Sequence, residues 1–310
     1  MSFVKFVFDA IDVLCNKDQN GISYGDMEEI LDLVYDSSFE LGKLDLYAKK
    51  FDSSVKHPLI INFHGGGFVA GDKKYRKGLA SYFVNKLEDS NIIYLNANYR
   101  LCDGKEVKFP TPVIDGANVL KWVEEHKDEY NFDMEHIYLS GDSAGGYMAI
   151  CMLNLTLDND YAEKIGAYKP HLKIKGGMFG CGPYDVLTAL STKLYGLNVG
   201  AMVGKPLTGV EKINEESIQS YKWLYECNPI NYVSKDYPDI FFIHAEHDEF
   251  CPGHAKQVVA KLKELGVSSH EYYLSKKLSV NHCFFLSQKS KLGQEALAQV
   301  EEYFRESMAN

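Results

Sequence analysis

Two stretches of the chain, Pro58-Leu59-Ile60-Ile61-Asn62-Phe63 and Ile92-Ile93-Tyr94-Leu95-Asn96-Ala97, are apolar on both faces, as suits strands buried inside a parallel sheet. Leu44-Asp45-Leu46-Tyr47-Ala48-Lys49 instead alternates like a half-exposed strand. Further strands are predicted at Ile137–Leu139, Ile174–Phe179, Ile240–Ala245 and Glu271–Leu274. Between them, helical spacing runs over Gly78–Leu87 and over Val113–Tyr130, where Ile114, Ala117, Val119, Leu120 and Val123 recur on one face. More helices are expected after Ser143, at Gly253–Leu265 and at Leu292–Arg305. This alternation predicts an α/β fold, a mainly parallel central sheet flanked on both faces by helices.

Two regions depart from that rhythm. Residues 3–35 read as two helical segments around a polar turn, Asn16-Lys17-Asp18-Gln19-Asn20-Gly21. Residues 183–236 are too long for a simple crossover and carry Tyr184, Tyr195, Tyr221, Trp223, Tyr225 and Tyr232. They read as a mostly helical insertion forming a cap over the C-terminal edge of the sheet, with residues 1–40 packed beside it. The chain then divides into N-terminal helices (1–40), a first core part (41–182), the cap (183–236) and a second core part (237–310). An ordinary crossover with its aromatics in the core is the alternative.

Charge and cysteine usage narrow the function classes. The formal net charge of -10 is spread along the chain and no basic stripe forms, which argues against nucleic acid and anionic membrane surfaces as partners. Seven scattered cysteines without a Cys-x-x-Cys pair read as reduced thiols of a cytoplasmic protein, with neither a disulfide framework nor a metal site. Lys5, Asp9 and Asp12 interrupt the apolar run Phe3–Leu14 and no cleavage pattern follows it, so export is not expected. No run approaches the length of a membrane span. The Asn16–Gly21 turn looks like part of a calcium loop, but the position of its bidentate glutamate falls on Met27, and an ordinary turn is expected.

The chemistry concentrates where His136–Leu139 runs into Ser140-Gly141-Asp142-Ser143-Ala144-Gly145-Gly146. A Gly-x-Ser-x-Gly turn between strand and helix reads as a nucleophile elbow: Gly141 and Gly145 leave room for a sharp turn that exposes the Ser143 hydroxyl at the start of a helix. Upstream, His64-Gly65-Gly66-Gly67-Phe68 is a glycine loop able to present backbone N–H groups to a developing oxyanion. A serine hydroxyl needs a base, and that base needs an acceptor to hold its tautomer. Asp248 follows the strand Ile240–Ala245 and His282 follows Glu271–Leu274, in the order Ser, Asp, His expected for this sheet type. Glu246 and Glu249 are rival acceptors with longer side chains. His244, His254 and His270 are rival bases placed inside a strand, at a helix start and ahead of a strand. Cys251 and Cys283 sit beside the acid and the base without lying on an elbow.

With these residues placed, the sequence resembles the hormone-sensitive-lipase-like, or fold-3, esterases of the α/β-hydrolase superfamily over roughly residues 45–310. The resemblance rests on His64–Phe68, on Asn98-Tyr99-Arg100-Leu101 with Phe109-Pro110 and Asp115, on Gly141–Gly146, and on Asp248 and His282 with Phe284. It implies Ser143 as nucleophile, His282 as base and Asp248 as its partner, with the N–H groups of Gly66, Gly67 and Ala144 as oxyanion donors. His64 would steady the glycine loop, with Gly65, Gly141, Asp142 and Gly145 supporting the motifs. The family also carries a helical cap built from the N-terminus and an insertion. Departures are Cys102–Lys108, which lacks Ala-Pro-Glu, and Glu249-Phe250-Cys251, which replaces Pro-Leu-x-Asp. The expected activity is serine carboxylesterase action on short-chain acyl esters, small molecules, without cofactor or metal. The alternatives are a carbohydrate acetyl esterase and a non-catalytic small-ligand binder, and edge-strand pairing into a homodimer is conceivable.

Overall fold

The two stretches that are apolar on both faces lie side by side at the centre of one sheet. The structure is a computed structural model and describes residue 22, residues 24–193 and residues 198–310. Among the described residues, eight strands pair: β1 (Glu28–Val34), β2 (Lys43–Ala48), β3 (His57–Phe63), β4 (Ile93–Ala97), β5 (Phe132–Asp142), β6 (Ile174–Gly180), β7 (Asp239–Ala245) and β8 (Ser269–Leu274). Their order is β1-β2-β4-β3-β5-β6-β7-β8. The pairings of β1 with β2 and of β2 with β4 are antiparallel, and all those from β4 to β8 are parallel. Helices α1 (Lys77–Lys86), α2 (Thr111–Glu125), α3 (Ala144–Leu157), α4 (Asn159–Ile165), α5 (Val186–Leu190), α6 (Val199–Thr208), α7 (Glu215–Gln219), α8 (His254–Glu264) and α9 (Lys291–Ala309) complete the α/β-hydrolase arrangement that the sequence predicts.

Side chains of a strand alternate between faces, so each central strand feeds two cores. Leu59, Ile61, Leu95 and Leu139 pack with Val113 and Leu120 of α2, Met148 of α3 and Val258 of α8. Ile60, Tyr94 and Tyr138 face the other way, onto Leu79 and Phe83 of α1 and Val300 and Phe304 of α9. Each such side chain, fully buried, contributes about 1.5–3 kcal/mol. That rigid double layer fixes where the C-terminal ends of β3, β5, β7 and β8 point, and the loops leaving those ends carry the candidate chemistry.

The N-terminal reading needs correction where it can be checked. Glu28–Val34 is a strand, not part of a helix. Ile30, Leu31, Leu33 and Val34 carry helix-like spacing because a bulge between Ile30 and Leu33 adds a residue and breaks the period of two. Asp32 takes φ 57 there, and its N–H donates to Asp45 Oδ1 at 2.8 Å. The open edge of β2 supplies the ladder that decides between the two structures. Residues 3–21, with the Asn16–Gly21 turn, and Tyr195 lie outside the described residues. Residues 183–236 contain α5, α6, α7 and a short 3-10 turn at Pro229–Tyr232. They are tied to the core by Phe109 N–H to Leu207 O (2.7 Å), Tyr147 OH to Cys227 O (2.9 Å) and Asn154 Nδ2 to Pro229 O (3.0 Å).

Candidate active site

Ser143 sits in the one-residue gap between β5 and α3 with φ 53 and ψ -120, a conformation that side-chain-bearing residues rarely adopt. The chain can turn this tightly only because of its neighbours: a Cβ on Gly145 would lie 1.9 Å from Phe63 O. The turn is held by Ser143 N–H donating to Gly180 O at 2.8 Å. Its hydroxyl meets His282 Nε2 at 2.8 Å, and His282 Nδ1 meets Asp248 Oδ1 and Oδ2 at 2.9 and 3.0 Å. The three side chains come from the ends of β5, β7 and β8, at the same edge of the sheet.

The electrostatics of this row follow from its burial. Asp248 accepts the N–H groups of Phe250 and Cys251, each at 2.8 Å, through Oδ1. Burial pushes its carboxyl upward, but the His282 charge and hydrogen bond and the two backbone donors hold it below the ordinary carboxylate value. Burial pulls His282 down, yet the charge and hydrogen bond of Asp248, with the charges of Glu249 and Asp142, raise it above its ordinary value. The ring edge of Phe250 packs on the imidazole at 4.8 Å between centroids.

The other candidate bases are occupied elsewhere. His244 Nε2 meets Glu271 at 2.9 Å, His270 lies within β8 with Nε2 on Asp239 at 2.8 Å, and buried His254 accepts the Asp185 N–H at 3.2 Å. Glu246 accepts from Tyr273 OH at 2.7 Å, and Glu249 turns to backbone N–H groups of the His282 loop. Burial raises the thiols of Cys251 and Cys283 well above the ordinary cysteine value, so both are protonated. Donor atoms of Cys181, His282 and Cys283, and of Asp248, Cys251 and His282, do lie within 4.8 Å of one another. Both groups need His282, whose two nitrogens already face Ser143 and Asp248, and thiols that resist ionisation, so they are poor metal sites.

The glycine loop follows β3. Gly66 and Gly67 take φ 120 and 60, and Gly66 O accepts the N–H groups of Val69 and Ala70. Gly67 and Ala144 line one cavity with Ser143, and Gly66, the third expected oxyanion donor, does not line it. His64 is buried beneath, stacked on Tyr99 at 4.5 Å, with Nδ1–H donating to Gly65 O at 2.7 Å. Burial lowers its pKa to about 4, so it is neutral. Asp142 is gripped by Arg76, Nε to Oδ1 and Nη2 to Oδ2 both at 2.6 Å, and a Cβ on Gly65 would come within 2.4 Å of Asp142 Oδ2. This buried fork ties the turn that follows the glycine loop to the elbow, and Gly65 packs closely against Asp142. Sequence reasoning missed it, because Arg76 sits in the run Lys73-Lys74-Tyr75-Arg76-Lys77, which looks like a solvated charged face.

The cavity in front of Ser143 measures about 50 Å³ and is walled by Phe68, Ala144, Val186, Leu190, Val203, Leu207 and Phe250 among others. Among the described residues, Ser143 and Cys251 bring the only polar side chains to that wall. Tyr184, Tyr221, Trp223, Tyr225 and Tyr232 do not line it. Tyr184 and Tyr232 are core residues, Tyr232 packing on Tyr161 at 4.2 Å.

The family model BD-FAE matches residues 44–262. A probable carboxylic ester hydrolase, LipM of Mycobacterium tuberculosis, is 25% identical over 291 residues, covering 92% of this chain and 63% of that protein. The chain therefore spans less than two thirds of the length of that relative. Versiconal hemiacetal acetate esterase of Dothistroma septosporum is 26% identical over 81% of this chain and 71% of its own. Among solved structures, esterase B of Lactobacillus Rhamnosis shares the fold with TM-score 0.80 and 18% identity, over 97% of this chain and 92% of that one.

Proposed function

This chain belongs to the BD-FAE family, in the hormone-sensitive-lipase-like branch of the α/β-hydrolases, and from that membership we propose that it is a serine carboxylesterase cleaving short-chain acyl esters. The observation that carries the reading is the unbroken row from Ser143 Oγ through His282 to Asp248, at 2.8 and 2.9 Å. In the proposed reaction His282 Nε2 takes the Ser143 proton as the oxygen attacks the ester carbonyl, and Asp248 stabilises the imidazolium. The carbonyl oxygen, now anionic, leans on the N–H groups of Gly66, Gly67 and Ala144, each donor being worth a factor of about 10²–10³ in turnover. His282 then gives the proton to the departing alkoxide, leaving Ser143 acylated. Water, activated by the same imidazole, releases the acid. Residues 183–236 serve as the cap that closes the acyl side.

The dimensions and lining of the cavity support a short, plain acyl chain. An apolar cavity of about 150 Å³ holds a benzene ring. At about 50 Å³, this one suits roughly a third of that, a tail of two or three carbons. A carbohydrate ester would need polar partners and stacking rings, and among the described cap aromatics Tyr184, Tyr221, Trp223, Tyr225 and Tyr232 none lines the cavity. A panel of p-nitrophenyl acetate, butyrate and decanoate with acetylated xylose tests the reading. Butyrate is expected to lead; decanoate or acetylated xylose in front overturns the substrate class, and no hydrolysis at all with saturable binding of a small acid overturns catalysis. The described cysteines are all free thiols. No helix among the described residues is long and apolar enough to cross a membrane.

Two further outcomes follow from the same geometry. Leu190 lies against Gly204, whose Cβ would come within 2.0 Å of Leu190 Cδ2, and so closes the cavity at the cap. Leu190→Ala is expected to raise kcat/KM for the decanoate relative to the butyrate by about tenfold, the worth of a few methylenes in an apolar pocket; an unchanged ratio removes Leu190 from the acyl wall. Only neutral imidazole can accept the proton, and the pKa of His282 is raised. The acid limb of kcat/KM is therefore expected to have its midpoint above the ordinary histidine value of 6.5, with activity present above it and lost below it. A pH profile with its midpoint below that value counts against the imidazole as base.

A further inference from the structure

The loop bearing His282 has no strand or helix ladder to hold it. β8 ends at Leu274, and Cys283 turns the chain sharply with φ 51. What holds it is a second carboxylate beside Asp248. Glu249 accepts the Asn281 N–H at 3.0 and 3.1 Å, the His282 N–H at 2.7 Å and Asn281 Nδ2 at 2.8 Å. Asn281 is buried and closes its own turn, its Oδ1 accepting the Leu278 N–H at 2.7 Å and its Nδ2 reaching Leu278 O at 3.2 Å. The loop that carries the acid thus clamps the loop that carries the base, through charge-assisted bonds of the stronger kind.

We propose that Glu249 is a positioning residue for the esterase reaction: it sets the backbone of residue 282 so that the imidazole spans Ser143 and Asp248 at hydrogen-bond distance. The proposal rests on the esterase reading given above. Glu249 occupies a place where the resemblance to the fold-3 esterases leads one to expect proline, so the clamp belongs to this chain's own sequence. Its charge acts on the imidazole as well. The groups facing His282 are the carboxylates of Asp248, Glu249 and Asp142, the thiols of Cys181, Cys251 and Cys283, the Ser143 hydroxyl and the ring of Phe250. Among these, Glu249 adds to the upward pull on His282, so its neutralisation moves the acid limb of activity to lower pH.

Glu249→Gln keeps the size of the side chain but sets an amide NH2 against N–H donors and removes the charge. With p-nitrophenyl butyrate its kcat is expected to fall by about 10–100-fold with KM within about twofold, the pattern of a misplaced catalytic group. Its acid limb shifts downward. Asn281→Ala leaves the charge and both backbone N–H bonds, so it is expected to lose less and to keep the wild-type acid limb. Titration with a serine-directed phosphonate counts folded sites, so kcat is quoted per titrated site. A kcat per site within twofold of wild type, or an acid limb that stays in place in Glu249→Gln, overturns the clamp. Loss of the esterase reading shows differently, as a wild-type protein without turnover or with turnover that survives removal of the Ser143 hydroxyl.

Discussion

Ser143→Ala is expected to lower kcat on p-nitrophenyl butyrate by about 10⁵–10⁶-fold while leaving the melting temperature close to that of the wild type. Alanine keeps the Cβ that serine already holds at φ 53, so the turn is no more strained, and its backbone bond to Gly180 O is untouched. The oxygen that is lost has one partner, His282 Nε2, and the imidazole stays anchored through Nδ1 on Asp248. Stability and activity should therefore separate. Residual turnover of about 10³–10⁴ over water would come from oxyanion donors and binding alone. No neighbouring group can take the serine's place: the thiols of Cys251 and Cys283 are held protonated by burial, and Cys251, though at the cavity wall, lies off the elbow. A variant keeping more than a tenth of wild-type turnover per folded molecule would mean that the nucleophile is another residue.

The parts of the site that local pattern reveals are those whose geometry is local. An elbow needs glycines at fixed offsets from its serine, and Gly141 and Gly145 stand in the sequence for anyone to see. The apolar runs around Leu59 and Ile93 are visible because strands buried on both faces have no polar period. Asp248 and His282 were legible through their order and through the ends of the strands that precede them. Long-range pairing hides the rest. Arg76 lies 66 residues from Asp142, and Glu249 lies 33 from His282, so neither carries a spacing that marks its partner. Glu249 was readable only as a competitor of Asp248, since a lone carboxylate does not announce that it will take backbone N–H groups. β1 is hidden for a third reason: the bulge at Leu31-Asp32 erases its alternation, and the deciding interaction is the vacant edge of β2.

Asp248→Asn is expected to lower kcat by about 10⁴-fold, more than the loss of one charge-assisted contact suggests, because it reverses a tautomer. The reversal follows from what surrounds the carboxylate. Oδ1 receives the Phe250 and Cys251 N–H groups, so an asparagine must place its carbonyl oxygen there and its NH2 where Oδ2 now stands, 3.0 Å from His282 Nδ1. An NH2 group can only donate at that point. The retained carbonyl oxygen stays 2.9 Å from Nδ1, but wherever Nδ1 accepts from the new NH2 the proton sits on Nε2, which turns the bond to Ser143 around: the imidazole donates to the hydroxyl and has no lone pair left to take its proton. Loss of the carboxylate also removes the largest of the interactions that raise His282, so whatever activity remains should persist to lower pH than in the wild type. Rate and pH profile together discriminate between causes. A small loss with an unmoved acid limb would assign the His282 partner to another carboxylate. A large loss with the limb displaced downward is the signature of an imidazole that Asp248 holds in the tautomer of a base and that asparagine turns to the wrong one.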